Sequence, residues 1–278
     1  MNSDFLNRIL EHKRREVEEA RGRIPEKELR EKASACKSGR SLATALHKPG
    51  VFGANIIAEI KRASPSRGAI RVDLDAADYA RAYERGGAAA ISVLTDRAFF
   101  QAQPDDLPNV RASSTLPILR KDFVISTYQV YETAAMGADA LLLIVRALTG
   151  ELLQDLLTLS GEMGLDALVE VHSESELEKA TKAGARLIGI NNRDLSSFQT
   201  DIRTSIAVAR HLDPGQVAVS ESGIRGRKDI ETLLDAGIWN FLIGESLVRS
   251  AGAEAFLGDL LGRGIDQKGT IRNSTSTA

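Results

Sequence analysis

Eight short apolar runs recur along the chain, at 56–61, 89–94, 117–121, 140–145, 167–171, 187–191, 217–221 and 240–243. Between them lie amphipathic stretches, at 76–85, 128–136, 152–163, 174–183 and 229–236, whose apolar spacing predicts helices. Strands alternating with helices imply a parallel sheet. A small repeat sharpens this pattern. Gly86-Gly87-Ala88, Gly137-Ala138-Asp139, Gly184-Ala185-Arg186 and Gly237-Ile238-Trp239 each sit between a helical stretch and the next apolar run. Glycine just past a helix end turns the chain without a Cβ penalty, so the sequence repeats one helix-to-strand junction. Eight such units on 278 residues predict an α/β fold of the (β/α)8 (TIM) barrel type. The runner-up is an open doubly wound sheet. That fold would normally carry G-x-G-x-x-G after its first strand, and the motif is absent there.

Residues 1–45 precede the first strand and predict a helical extension, with a charged helix over 4–20 whose apolar positions are Phe5, Leu6, Ile9, Leu10 and Val17. Two placements stay open: a plug at the barrel bottom, or a lid beside the active face. The barrel is expected over 46–265, and the polar stretch 266–278 reads as a disordered tail.

The first run ends in Asn-Ile-Ile-Ala-Glu-Ile-Lys-Arg-Ala-Ser-Pro-Ser. Side chains two apart on a strand share a face, which puts Ile57, Glu59 and Lys61 together. Burying such charges is costly, so a core-facing strand that carries them is building a site. The Ser-Pro-Ser that follows continues a ladder poorly and offers hydroxyls and N–H groups to an anion. Other strand ends repeat the theme with Lys121, Glu170, Asn191, Arg193 and Glu221. In this fold those ends carry the chemistry. Three glutamates, two lysines and an asparagine converging on one space suit acid–base work. A partly desolvated lysine near a second lysine becomes a proton donor near neutral pH. Lys121 and Glu170, on the third and fifth strands, are expected on different sides of a bound substrate. His172, one residue past the fifth strand, reads as structural. Ser222-Gly223 and Gly244-Glu245 follow the last two strands, the usual phosphate position of barrels, and Ser64 could close that ring.

Composition narrows the class. A net charge of -2 gives no electrostatic footprint for nucleic acid. No apolar run reaches membrane-span length, and the charged N-terminus lacks a signal-peptide apolar region. The single cysteine, Cys36, permits no internal disulfide, which fits a cytoplasmic location. His12, His47, His172 and His211 show no metal-ligand spacing, so no metal is expected.

Glu-Ile-Lys-Arg-Ala-Ser-Pro-Ser, Leu-Thr-Asp with Phe99-Phe100, Leu-Arg-Lys-Asp-Phe, Leu-Val-Glu-Val-His, Gly-Ile-Asn-Asn-Arg-Asp-Leu, Glu-Ser-Gly-Ile and Leu-Ile-Gly-Glu-Ser-Leu together resemble the indole-3-glycerol phosphate synthase family over about residues 4–262. The resemblance implies cofactor-free conversion of 1-(2-carboxyphenylamino)-1-deoxyribulose 5-phosphate to indole-3-glycerol phosphate, CO2 and water in tryptophan biosynthesis. It makes Lys121 the acid of ring closure, Glu170 the acid/base of dehydration and Lys61 the carboxylate-binding lysine. It makes Glu59, Asn191 and Glu221 supporting hydrogen-bond groups. Ser64, Gly223, Gly244 and Glu245 match its phosphate site, and Pro65, Phe100, Phe123, Leu142 and Leu195 match its apolar walls. A monomer is expected, with association to other enzymes of the pathway left open. Two departures from the family pattern stand out: Gln101-Ala102-Gln103-Pro104 where glycine and serine are common, and Ser126-Thr127 where Asp-Pro is frequent. Two other functions compete: a non-catalytic barrel that binds a phosphate ester, and an enzyme like phosphoribosylanthranilate isomerase. Neither needs the Lys61/Lys121 pair.

Overall fold

A computed structural model describes residues 3–36, 39–65, 68–194 and 197–263. The eight apolar runs are eight parallel strands: β1 (Asn55–Ile60), β2 (Ala90–Leu94), β3 (Ile118–Lys121), β4 (Ala140–Ile144), β5 (Asp166–Val171), β6 (Leu187–Asn191), β7 (Val217–Glu221) and β8 (Asn240–Ile243). They pair in sequence order, and β8 closes on β1 with Asn55 opposite Asn240 and Ile57 opposite Leu242. The closed barrel removes the open doubly wound alternative. The repeated junction has the anticipated geometry, since Gly87, Gly137, Gly184 and Gly237 all have left-handed backbones with φ from 79° to 91°.

Strand alternation sorts the core into an inside and an outside. On β1, Ile56, Ala58 and Ile60 pack outward with the surrounding helices, while Ile57 packs inward. Leu119, Leu168 and Val219 join Ile57 inside the barrel from β3, β5 and β7. Two residues further along these same strands stand Glu59, Lys121, Glu170 and Glu221. Barrel interiors are filled by layers of four side chains drawn from alternate strands. The charged residues therefore form one such layer, stacked directly on an apolar one.

The charged N-terminal helix lies beside the active face, and a different segment of the extension plugs the barrel bottom. A short helix, Leu42–Leu46, plugs the bottom, burying Leu42 and Leu46 against Ile57, Leu168 and Leu187. The Asp166 carboxylate at the start of β5 holds it, accepting from Ser41 Oγ at 2.9 Å and Ala43 N at 3.0 Å. The first helix, α1 (Ser3–Arg23), lies at the opposite end, where Phe5, Leu6 and Ile9 line the cleft at the strand C-termini. It runs a turn longer than the 4–20 expected from its apolar positions. The stretch 266–278 lies outside the described residues.

Both departures from the family pattern are accommodated locally. Ser126 caps the helix Thr127–Ala135 by accepting from Tyr128 N, and its hydroxyl also takes Arg21 Nη2 of α1 at 2.9 Å. Serine does here the work that an aspartate would do at a helix N-terminus. Gln101 ends the helix Arg97–Phe100 in a left-handed conformation, φ 57°, where glycine would be unstrained. The Ser-Pro-Ser segment corrects one expectation. Ser64 does join a ladder, a two-residue antiparallel pairing of Ala63–Ser64 with Gly68–Ala69, because Pro65 falls in the turn, outside the paired residues.

Candidate active site

The strand C-termini open into a cleft of about 810 Å³. The residues proposed from the sequence as catalytic or substrate-binding all line it, except Leu195, which lies outside the described residues. At the floor is the charged layer. Lys121 Nζ stands 3.2 Å from Glu221 Oε2 and 3.4 Å from Glu170 Oε2. Lys61, just beyond the end of β1, pairs with Glu59 Oε2 at 2.5 Å. Two glycines make room for these carboxylates. A Cβ on Gly189 of β6 would collide with Glu221 Oε1, and one on Gly244 after β8 would collide with Glu59 Oε2. The even strands thus supply space where the odd strands supply charge.

The electrostatics separate the three partners of the cluster. Burial pulls the Lys121 ammonium toward neutrality, yet Glu221, Glu170 and Glu59 outweigh it and raise its pKa well above the ordinary 10.5. This corrects the expectation of a lowered lysine: its dominant neighbours are carboxylates, and it stays charged. A firmly charged ammonium can still donate to an alkoxide, a far stronger base. Burial pushes the Glu221 carboxyl up; Lys121 opposes this, Glu170 and Glu59 reinforce it, and the group sits at about 7. Burial also raises Glu170, but Lys121, His172 and the Asn191 amide outweigh it and hold that carboxyl below its ordinary value. Two carboxyls a few ångströms apart are thereby driven to opposite protonation preferences, the pattern that separates an acid from a base. Lys121 and Glu170 are an ion pair here, not groups on opposite sides of the space.

An apolar wall and an anion-accepting rim complete the cleft. Phe100 and Phe123 stack with centroids 6.3 Å apart and planes tilted by 38°. Across the cleft, Ser222 and Gly223 both have left-handed backbones, φ 65° and 83°. Serine pays about 1–2 kcal/mol for that conformation. The buried Asn192 side chain offsets it, donating to Ser222 O at 3.0 Å and Ser220 Oγ at 2.9 Å. The Ser64 hydroxyl is buried and makes no hydrogen bond within the protein. A buried hydroxyl on a polar rim can donate to an anionic oxygen.

A second buried charge cluster was not anticipated. Lys13 of α1 is 1% exposed and meets Asp122 Oδ1 at 2.8 Å and Asp96 Oδ2 at 2.9 Å. Arg120 reaches Asp122 Oδ2 at 3.1 Å and Glu132 at 2.6 Å. Asp96 follows β2 and Asp122 follows β3, so one lysine clamps α1 onto two strand ends beside Lys121. Burial opposes ionisation of Asp122, but Lys13 and Arg120 hold its carboxyl far below the usual range. Asn192 was also missed. The only sequence signal for it was its place beside Asn191. Among the described residues no set of three His, Cys, Asp or Glu side chains is placed to hold a metal ion, and no helix is long and apolar enough to cross a membrane.

A barrel with a charged layer at its strand ends, an aromatic wall and a serine–glycine rim defines an acid–base enzyme for a small anionic substrate. A family model described as indole-3-glycerol phosphate synthase matches residues 6–260. The chain therefore belongs to the indole-3-glycerol phosphate synthase family, the decarboxylating lyases of tryptophan biosynthesis. It is 60% identical over 260 residues to an indole-3-glycerol phosphate synthase of Syntrophobacter fumaroxidans, covering 94% of this chain and 98% of the relative. It is 54% identical over 262 residues to that of Desulfosudis oleivorans, covering 93% and 99%. A thiamine phosphate pyrophosphorylase from Pyrococcus furiosus superposes with a TM-score of 0.57 at 14% identity, covering 74% of this chain and 93% of that one. That likeness shows the barrel fold alone.

Proposed function

We propose that the cleft converts 1-(2-carboxyphenylamino)-1-deoxyribulose 5-phosphate to indole-3-glycerol phosphate, with Lys121 and Glu170 in separate roles. The observation that carries this reading is the Lys121 ammonium set among Glu170, Glu221 and Glu59 at the cleft floor. The aryl carbon bearing the carboxylate attacks the sugar carbonyl, and Lys121 protonates the oxygen as it becomes an alkoxide. The aryl–carboxylate bond then breaks. CO2 leaves, and its electron pair restores the ring. Decarboxylation at that stage needs mainly a well-held substrate. In the last step Glu170 removes a proton from the substrate while the Lys61 ammonium protonates the departing hydroxyl, which leaves as water and completes the indole.

Binding divides along the rim. Lys61 takes the substrate carboxylate, while Glu59, Asn191 and Glu221 orient the reacting groups. Ser64, Ser222, Gly223, Gly244 and Glu245 hold the phosphate, mostly by backbone N–H groups, and Arg193 adds positive charge. The aryl ring lies against Pro65, Phe100, Phe123, Leu142 and Leu195. Side chains supply every proton in this scheme, so no cofactor is expected. Substrate entry must part the Lys121–Glu170 pair, since both groups face the same space before binding. Incubating the purified chain with this substrate should give indole fluorescence. No signal at high enzyme concentration would defeat the reading.

We further read the chain as a cytoplasmic monomer, open to association with other enzymes of the pathway. A near-neutral charge and a lone cysteine support the location. Light scattering that finds a dimer at working concentration would remove the monomer.

A further inference from the structure

Behind Glu170 stands a line of polar side chains that the scheme above leaves unused. Glu170 directs Oε2 at Lys121, 3.4 Å away. Its other oxygen, Oε1, faces His172 Nε2 at 3.5 Å. The His172 side chain is 4% exposed, and Nε2 makes no hydrogen bond within the protein. The opposite ring nitrogen, Nδ1, lies 3.3 Å from Glu176 Oε2. That same oxygen accepts from the His172 backbone N–H at 2.8 Å. Glu176 is in turn paired through Oε1 with Arg146, from the turn after β4. The ring is therefore fixed from its far side by Glu176 and Arg146, and its free nitrogen is aimed at the acid/base carboxyl.

A merely structural histidine at a helix start needs only the contact to Glu176. It would not leave a buried nitrogen unsatisfied beside a carboxylate, since an unpaired buried polar atom costs about 1–3 kcal/mol. The arrangement repeats the logic of a base oriented by a third group, with the imidazole between two carboxyls. The charged groups facing the ring are Glu170 on β5 and Glu176 on the helix Glu174–Lys182. Lys121 on β3 and Arg146 reach it through those two carboxylates.

We propose that His172 is a positioning residue for Glu170: fixed from its far side by Glu176, the ring offers an N–H at Nε2 to Oε1 from behind, so that Oε2 stays aimed at the substrate. The inference rests on Glu170 acting in dehydration.

The test is single-turnover release of CO2 followed beside indole fluorescence, in His172→Leu, His172→Gln and Glu170→Gln. Glutamine can place an amide N–H near the position of Nε2. His172→Leu should lower kcat about 10- to 100-fold, the scale of a misplaced catalytic group, with KM within about threefold of wild type. It should show CO2 ahead of indole. His172→Gln should recover most of the rate of indole formation and remove most of the lag, because its amide N–H can take the place of Nε2–H. If His172→Leu does not fold, Glu176→Gln, which loosens the ring without removing it, should show a smaller lag of the same kind. A lag in Glu170→Gln with none in any His172 or Glu176 variant overturns this inference alone. No lag in Glu170→Gln overturns the assignment of Glu170, and this inference with it.

Discussion

Two buried charge clusters sit side by side at the top of this barrel, and they are built on opposite principles. Under α1, Lys13 and Arg120 meet Asp96 and Asp122, with Glu16 and Glu132 at the edge. Both central carboxylates have a cation within 3.1 Å. In the cleft, three carboxylates share two lysines. The first cluster is balanced and closed; Lys13, Arg120 and Asp122 are driven deeper into their charged forms. The second is over-supplied with carboxylate and open to the cavity, and one member is pushed up to about 7. A matched set fixes an element in place. A mismatched set leaves a proton to be moved.

The largest expected effect tests the open cluster. Lys121→Ala should lower kcat by about 10²-fold or more, the scale of a lost general acid. Activity within twofold of wild type would contradict its role.

The closed cluster should answer the other way. Lys13→Met should cost about 3–5 kcal/mol of folding stability, since it strands Asp96 and loosens Asp122 in a buried place. Urea unfolding reads this directly, and a loss below about 1 kcal/mol would show that the clamp is dispensable. KM should also rise, because α1 carries Phe5, Leu6 and Ile9 of the cleft wall.

A pH series sharpens the contrast. The folded Glu221 carboxyl, at about 7, holds its proton more tightly than the ordinary 4.5 of the unfolded chain. Stability therefore falls as pH rises from about 4.5 to about 7 and stays lower above that. Glu221→Gln removes this penalty, on the order of 3 kcal/mol, so the variant should gain stability over wild type at pH 8 relative to pH 5. A gain independent of pH would mean that Glu221 is ionised throughout.

The smallest effect lies outside both clusters. Gln101→Gly should relieve the left-handed strain and shift stability by about 1 kcal/mol or less, since glycine's extra freedom in the unfolded chain offsets the relief. A loss above 2 kcal/mol would indicate a packing role for the Gln101 side chain.

How far each cluster could be read from the chain follows from its construction. The open cluster lies on strands, where the two-residue period places Glu59 above Ile57 and Lys121 above Leu119 without knowledge of any contact. The closed cluster depends on where a helix lands. Lys13 reads as one more charge on a charged helix, and nothing local sets it apart from Arg14 or Arg15. Its partners lie in loops after β2 and β3, so only the docking of α1 reveals the pairing. The same limit hid the pairing around Lys121: the sequence brought three glutamates and two lysines to one space, but not which carboxylate each lysine would meet. His172 lay between these cases. Its place one residue past β5 was legible, whereas the Glu176–Arg146 support behind it was not.

The claim that most needs testing is that Lys121 and Glu170, an ion pair at the cleft floor, act at different steps. Single-turnover measurement of CO2 release beside indole fluorescence in Lys121→Ala and Glu170→Gln addresses it directly. Lys121→Ala should suppress both signals together, because ring closure precedes loss of CO2. Glu170→Gln should release CO2 first and form indole after a lag. Equal and simultaneous suppression of both signals in both variants would contradict the account and make the pair one unit acting on a common early step.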